Sequence, residues 1–152
     1  MVECLMALVI SAMLLTAIAA AFNASLVNYE ENEEMFEAVN GARQALARMT
    51  SQLRTGSCVD PLAPSNECSF FTSASENLTY EYRAADKKLY LITNSDGNEY
   101  LLCDNVSAAT FTKTPTTDNT DCKSVQILLT VRAGDTERTL SAAAVIRKNL
   151  TY

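Results

Sequence analysis

The apolar positions of this chain fall into three successive patterns. From Cys4 to Phe22 no residue carries a charge, and Ser11 and Thr16 supply the only side-chain hydroxyls of that run. A helix over it would be about 28 Å long, close to the hydrocarbon thickness of a bilayer. Beyond Phe22 the sequence turns polar but meets no Gly or Pro before Gly41, so the helix is free to continue. There Met35, Val39, Ala42, Leu46, Met49 and Leu53 recur at alternating steps of four and three. That spacing draws one apolar stripe along a helix that packs on a core. Gly56 and Ser57 supply the stop.

In the third pattern the period drops to two. Leu78, Tyr80 and Tyr82 alternate with polar residues, and the segments 88–93 and 99–103 flank Asn94-Ser95-Asp96-Gly97-Asn98 as a hairpin. Further strands are predicted at 106–113, 125–132 and 138–147, the last two joined at Ala133-Gly134-Asp135. Residues 57–77, with Pro61, Pro64, Asn66 and several Ser, read as a connecting loop. The expectation is an α+β chain with an antiparallel sheet of roughly four to six strands, covered by the stripe from Met35 to Leu53 because no other helix is available. Its parts are an apolar helix over 1–27, an amphipathic continuation over 28–55 and a sheet domain over 56–152.

Composition narrows the function. With 48% apolar and 20% charged residues, 4 Gly and 3 Pro, the chain is of globular type. The formal net charge of -6 and the scattering of the 12 Lys and Arg argue against general nucleic-acid binding, which needs a basic stripe. Histidine is absent, which removes the commonest general base and metal ligand. Together with the lack of a Gly-rich phosphate loop, a nucleophile elbow or a paired-carboxylate constellation, this predicts a protein that is not an enzyme and needs no cofactor or metal. Asp96, Asn98 and Glu99, and likewise Asp118 and Asp121, offer oxygen atoms that suit calcium, yet neither stretch has EF-hand spacing and turns favour the same residue types.

Of the five cysteines, Cys4 lies in the apolar run, while Cys58, Cys68, Cys103 and Cys122 lie in polar, turn-rich sequence. Those four allow three pairings. Short local loops favour Cys58 with Cys68 and Cys103 with Cys122. Zinc is the rival, without CxxC spacing or a histidine to support it. Disulfides imply an extracytoplasmic location.

Glu3 is the informative residue at the head of the helix. A carboxylate opening an apolar segment is costly to bury unless a cation meets it. A cleaved secretory signal would carry a basic residue ahead of the apolar run, and none is present. The stretch Met1-Val2-Glu3-Cys4-Leu5-Met6-Ala7-Leu8-Val9-Ile10 resembles the methylation-type start of mature type IV pilins and type II secretion pseudopilins: a short apolar lead, a glutamate, then an uninterrupted apolar helix. In that family the glutamate is the fifth mature residue and neutralises the terminal amine of a neighbouring subunit. The resemblance therefore implies that two residues and a cleaved leader precede Met1, and that Glu3 and the terminus near Met1 take part in assembly. It also implies that Leu5, Leu8, Val9, Leu15, Ile18 and Phe22 line a filament core.

The family's fold is a lollipop, a long helix whose second half packs on an antiparallel sheet. The segments 45–54 and 144–149 are similar to J-type minor pseudopilins and PilW-like minor pilins. What the resemblance implies is a structural subunit of a helical homo-oligomeric filament that also takes up other pilins. It would wait in the inner membrane for the pilus or secretion assembly machinery and end in an extracellular or periplasmic filament. A minor tip subunit that initiates assembly or binds a surface or exoprotein is the alternative. The acidic run Glu30, Glu31, Glu33, Glu34 and Glu37 and the later Arg43, Arg48 and Arg54 would then face one another between displaced copies, or simply face solvent.

Overall fold

A computed structural model describes residues 2–149. One helix, α1 (Val2–Thr55), is followed by eight strands: β1 (Cys58–Val59), β2 (Glu67–Phe71), β3 (Asn77–Arg83), β4 (Lys88–Thr93), β5 (Asn98–Cys103), β6 (Val106–Pro115), β7 (Cys122–Ala133) and β8 (Thr136–Val145). A single 3-10 turn, Arg147–Asn149, ends the described chain. The fold is α+β, a long N-terminal helix followed by antiparallel sheet. Contacts divide the chain into two compact units, with the boundary between Glu34 and Met35.

Glu3 in the first turn and Arg54 in the last complement the dipole of α1. The helix ends where Gly56 donates its N–H to Leu53 O at 3.3 Å. Gly56 is buried, and a Cβ there would stand 3.3 Å from both Leu53 O and Phe71 O, so the exit from the helix leaves no comfortable room for a side chain.

The strands form two sheets, β1-β2-β3-β4-β5 and β6-β7-β8, every neighbouring pair antiparallel. This replaces the single smaller sheet expected from the alternation. Two strands, β1 and β2, lie within the segment read as a loop. Pro61 and Pro64 fall between them and do not interrupt either, and Cys68 and Phe70 point inward from β2. The break between sheets comes at Asp104-Asn105, where Asn105 adopts φ 53 and turns the chain out of the first sheet. The Tyr82 hydroxyl donates to Ser107 O at 2.8 Å, and Arg132 N–H donates to Asn105 O at 2.9 Å, so the two sheets are tied across that break.

The core lies in the part from Met35 onward. Ala38, Ala42, Ala45, Leu46, Met49 and Leu53 of α1 are buried with Val59, Phe70, Tyr80, Leu89 and Leu91 of the first sheet and Val125, Ile127, Leu129 and Val131 of the second. The stripe read from the spacing is therefore correct at Ala42, Leu46, Met49 and Leu53. Val39 is only half-buried against the core and Met35 is half-exposed, whereas Ala38 and Ala45 are enclosed. The small side chains let the helix approach the strands closely. At Gly41 a Cβ would lie 3.8 Å from Cys103 Sγ. Truncating a fully enclosed Leu or Met in such a core to Ala costs about 2–5 kcal/mol.

Candidate assembly surface

The apolar half of α1 shows no stripe. Leu5, Leu8, Val9, Leu15, Ile18 and Phe22 are all exposed, and so are Met6, Ile10, Met13 and Leu14 between them. Successive residues step about 100° around a helix, so these side chains cover its whole circumference. A helix apolar all round belongs inside something, either lipid or a bundle of other helices. It is long and apolar enough to cross a membrane, and none of the apolar window is buried.

The two hydroxyls of this segment do not change that character. Ser11 Oγ donates to Ala7 O and Thr16 Oγ1 donates to Met13 O, both at 2.8 Å. Each spends its proton on its own helix, as hydroxyls do where no water is available. Glu3, exposed in the first turn, is left as the sole charge at the head of the apolar surface among the described residues. Met1, the other expected assembly residue, lies outside the described residues.

Past Phe22 the helix surface becomes acidic. Glu30, Glu31, Glu33, Glu34 and Glu37 are exposed, as are Arg43, Arg48 and Arg54. Among the described residues the ion pairs engage Arg83 and Arg132 instead. Arg83 on β3 grips Glu99 on β5 with two hydrogen bonds, 2.8 and 2.5 Å, while its guanidinium lies 4.8 Å over the Tyr90 ring of the intervening strand. Those bonds hold the Glu99 carboxyl below its ordinary pKa.

The expected disulfides are a correction. Neither Cys58 with Cys68 nor Cys103 with Cys122 is placed to bond. Cys58 stands opposite Phe71, three residues along β2 from Cys68. That is a displacement of about 10 Å, with side chains on opposite faces, well beyond disulfide reach. Cys103 precedes the start of β6, whereas Cys122 pairs with Pro115 at its other end. A ten-residue strand of about 30 Å therefore separates them. Sequence proximity misled at Cys103 and Cys122 because the extended strand β6 lies between them, and at Cys58 and Cys68 because the loop that joins β1 to β2 leaves the two out of register.

The residues weighed for calcium are engaged in turns. Asp96 accepts from Ser95 Oγ at 2.5 Å, Glu99 holds Arg83, and Asp121 Oδ1 accepts the N–H groups of Val59 and Cys122 at 2.7 and 2.6 Å. Among the described residues no group of three or more His, Cys, Asp or Glu side chains is placed to hold a metal ion. A cleft of about 530 Å³ between the β7–β8 turn and Tyr82 is lined by Lys87, Asn105, Arg132 and Glu137. Arg132 Nε donates there to Gly134 O at 2.9 Å, which keeps the guanidinium on its own hairpin.

No protein-family model matches the chain, and no curated protein matches it either.

Proposed function

We propose that this protein is a subunit of a type IV pilus-like or pseudopilus filament, held in a membrane by its apolar helix before assembly and packed by the same helix afterwards. The observation that carries the reading is a helix surface apolar on every side, wholly uncovered, with one carboxylate at its head. A lone anchor would need the apolar surface but gives no reason for the acid. A bundle of copies supplies one, because the terminal ammonium of a neighbour neutralises Glu3 as both leave water. The opening from Met1 to Ile10 resembles the pilin start in this respect.

Transfer from lipid to a helix bundle exchanges one apolar surrounding for another. The drive comes from close helix packing, the Glu3 pairing and an external motor, and little is gained from the hydrophobic effect in that step. The sheet domain from Met35 onward buries its own core and stays outside the bundle.

The test is Glu3→Ala in cells that make the filament. The variant is expected to insert into the membrane and fold, yet to yield few or no filaments by electron microscopy. Normal filament number and length would refute the reading.

A further inference from the structure

Three cations gather without a carboxylate where the end of α1 meets the 3-10 turn after β8. Two open hollows, of about 360 and 520 Å³, share Arg54, Thr55 and Arg147 as lining. Ala47, Thr50 and Ser51 extend the first along α1, while Gly56, Ser57, Ser73 and Lys148 belong to the second. Just past β8 the fully buried Ile146 donates its N–H to Lys123 O at 3.0 Å, which fixes the turn that carries Arg147 and Lys148, both exposed. The dipole of α1 accounts for Arg54 alone. Among the described residues the ion pairs engage none of these three cations. Like charges gathered in this way repel, and an anionic partner relieves them.

We propose that this basic trough is the docking site for an acidic helical turn of a second copy, the one that carries Glu30, Glu33 and Glu34. The inference rests on the filament reading above, which sets copies side by side. Steps of three and four along a helix put these carboxylates on one face, about 6 Å from first to last. All three are exposed, and among the described residues no ion pair engages them. The trough follows α1 from Ala47 to Thr55 for about 12 Å, enough to hold that turn. Its small side chains leave room for glutamates to reach in between the guanidinium and ammonium groups.

The basic counterpart is thus not the row of Arg43, Arg48 and Arg54 expected from spacing along α1. Arg43 and Arg48 line neither hollow, and Arg147 and Lys148, remote in sequence, take their place. A small free anion would suit the same cations, but the chain itself carries the complement, four exposed carboxylates within the five residues from Glu30 to Glu34. At a formal net charge of -6 two copies repel on average, so a trough of opposite sign decides where they meet and in what register. Exposed pairs of this kind are screened by salt and lend specificity more than strength.

Charge reversal in cells that make the filament decides the matter. A chain with Arg54→Glu, Arg147→Glu and Lys148→Glu is expected to insert into the membrane and give a folded circular dichroism spectrum. Its filaments by electron microscopy should nevertheless be at least about tenfold fewer, because like charges then face each other. Glu30→Lys, Glu33→Lys and Glu34→Lys together should cause the same loss. Both sets in one chain put opposite signs back across the contact, and filament number should return close to that of the unaltered chain. Such a rescue also shows that each reversed surface folds. Normal filaments from either set alone, or a loss that the combined chain does not repair, would overturn the docking and leave the filament reading standing. Absence of filaments from the unaltered chain would overturn both, which keeps the two failures apart.

Discussion

Tyr80, in the middle strand of the first sheet, donates its phenol hydrogen to Gln52 Oε1 on the last turns of α1. Its ring stacks on Phe70 with centroids 5.3 Å apart, and none of its side chain reaches solvent. This one residue thus joins a polar contact to the helix with the apolar centre of the sheet. A buried hydroxyl with a partner is neutral to mildly stabilising, whereas the partner left alone is costly.

Tyr80→Phe keeps the ring and its stacking but strands Gln52 Oε1. The expected loss is about 1 kcal/mol, read as a fall of a few degrees in Tm by near-UV circular dichroism. Gln52→Leu in the Tyr80→Phe background should restore part of it. A Tm unchanged by the first substitution would mean that the hydrogen bond contributes nothing net.

Stability should fall on the alkaline side. Burial pushes the Cys68 thiol up to about 12, and burial together with Asp104 pushes Cys103 up to about 11. Burial also raises the Tyr80 phenol. Each group keeps its proton more firmly when folded than when unfolded. The stabilisation is complete below the ordinary thiol pKa and is lost as pH rises through the folded values. Each buried thiol then contributes a slope of at most about 1.4 kcal/mol per pH unit. Thermal melts of the reduced protein from pH 7 to 12 should be level to about 8.5 and decline beyond it; a level profile to pH 11 would contradict the burial of these groups.

Leu15→Asp separates the two duties of the apolar helix. A carboxylate near its middle costs about 3 kcal/mol for membrane insertion, so this variant should lose both its alkali-resistant membrane fraction and its filaments. Glu3→Ala should lose only the filaments. Equal membrane fractions for the two variants would show that the segment is not the anchor.

Much of this architecture was legible in the spacing of residues. The segment 88–93 is β4 as read, Gly56 and Ser57 follow the last helical residue, and Ala133-Gly134-Asp135 makes the β7–β8 turn with Gly134 at φ 54. Positions where the signal failed each have a local cause. β1 and β2 are short and flank two prolines, so turn chemistry outweighed the alternation of Cys68 and Phe70. The division into two sheets falls at Asp104-Asn105, which nothing in the hydrophobic pattern distinguishes from an ordinary hairpin turn. Cys103 and Cys122, close in sequence, are kept apart by the length of β6. The uncovered apolar helix needed no tertiary information, because a surface apolar on all sides is visible in composition alone.

The inward-turned hydroxyls of Ser11 and Thr16 carry a mechanical consequence. A rod whose hydroxyl protons are already spent on its own backbone offers a neighbouring apolar helix little but dispersion, which has no preferred azimuth and little resistance to sliding. In the filament proposed above, tension would be taken up by slippage between smooth shafts, and Glu3 would be the charged latch at their tips.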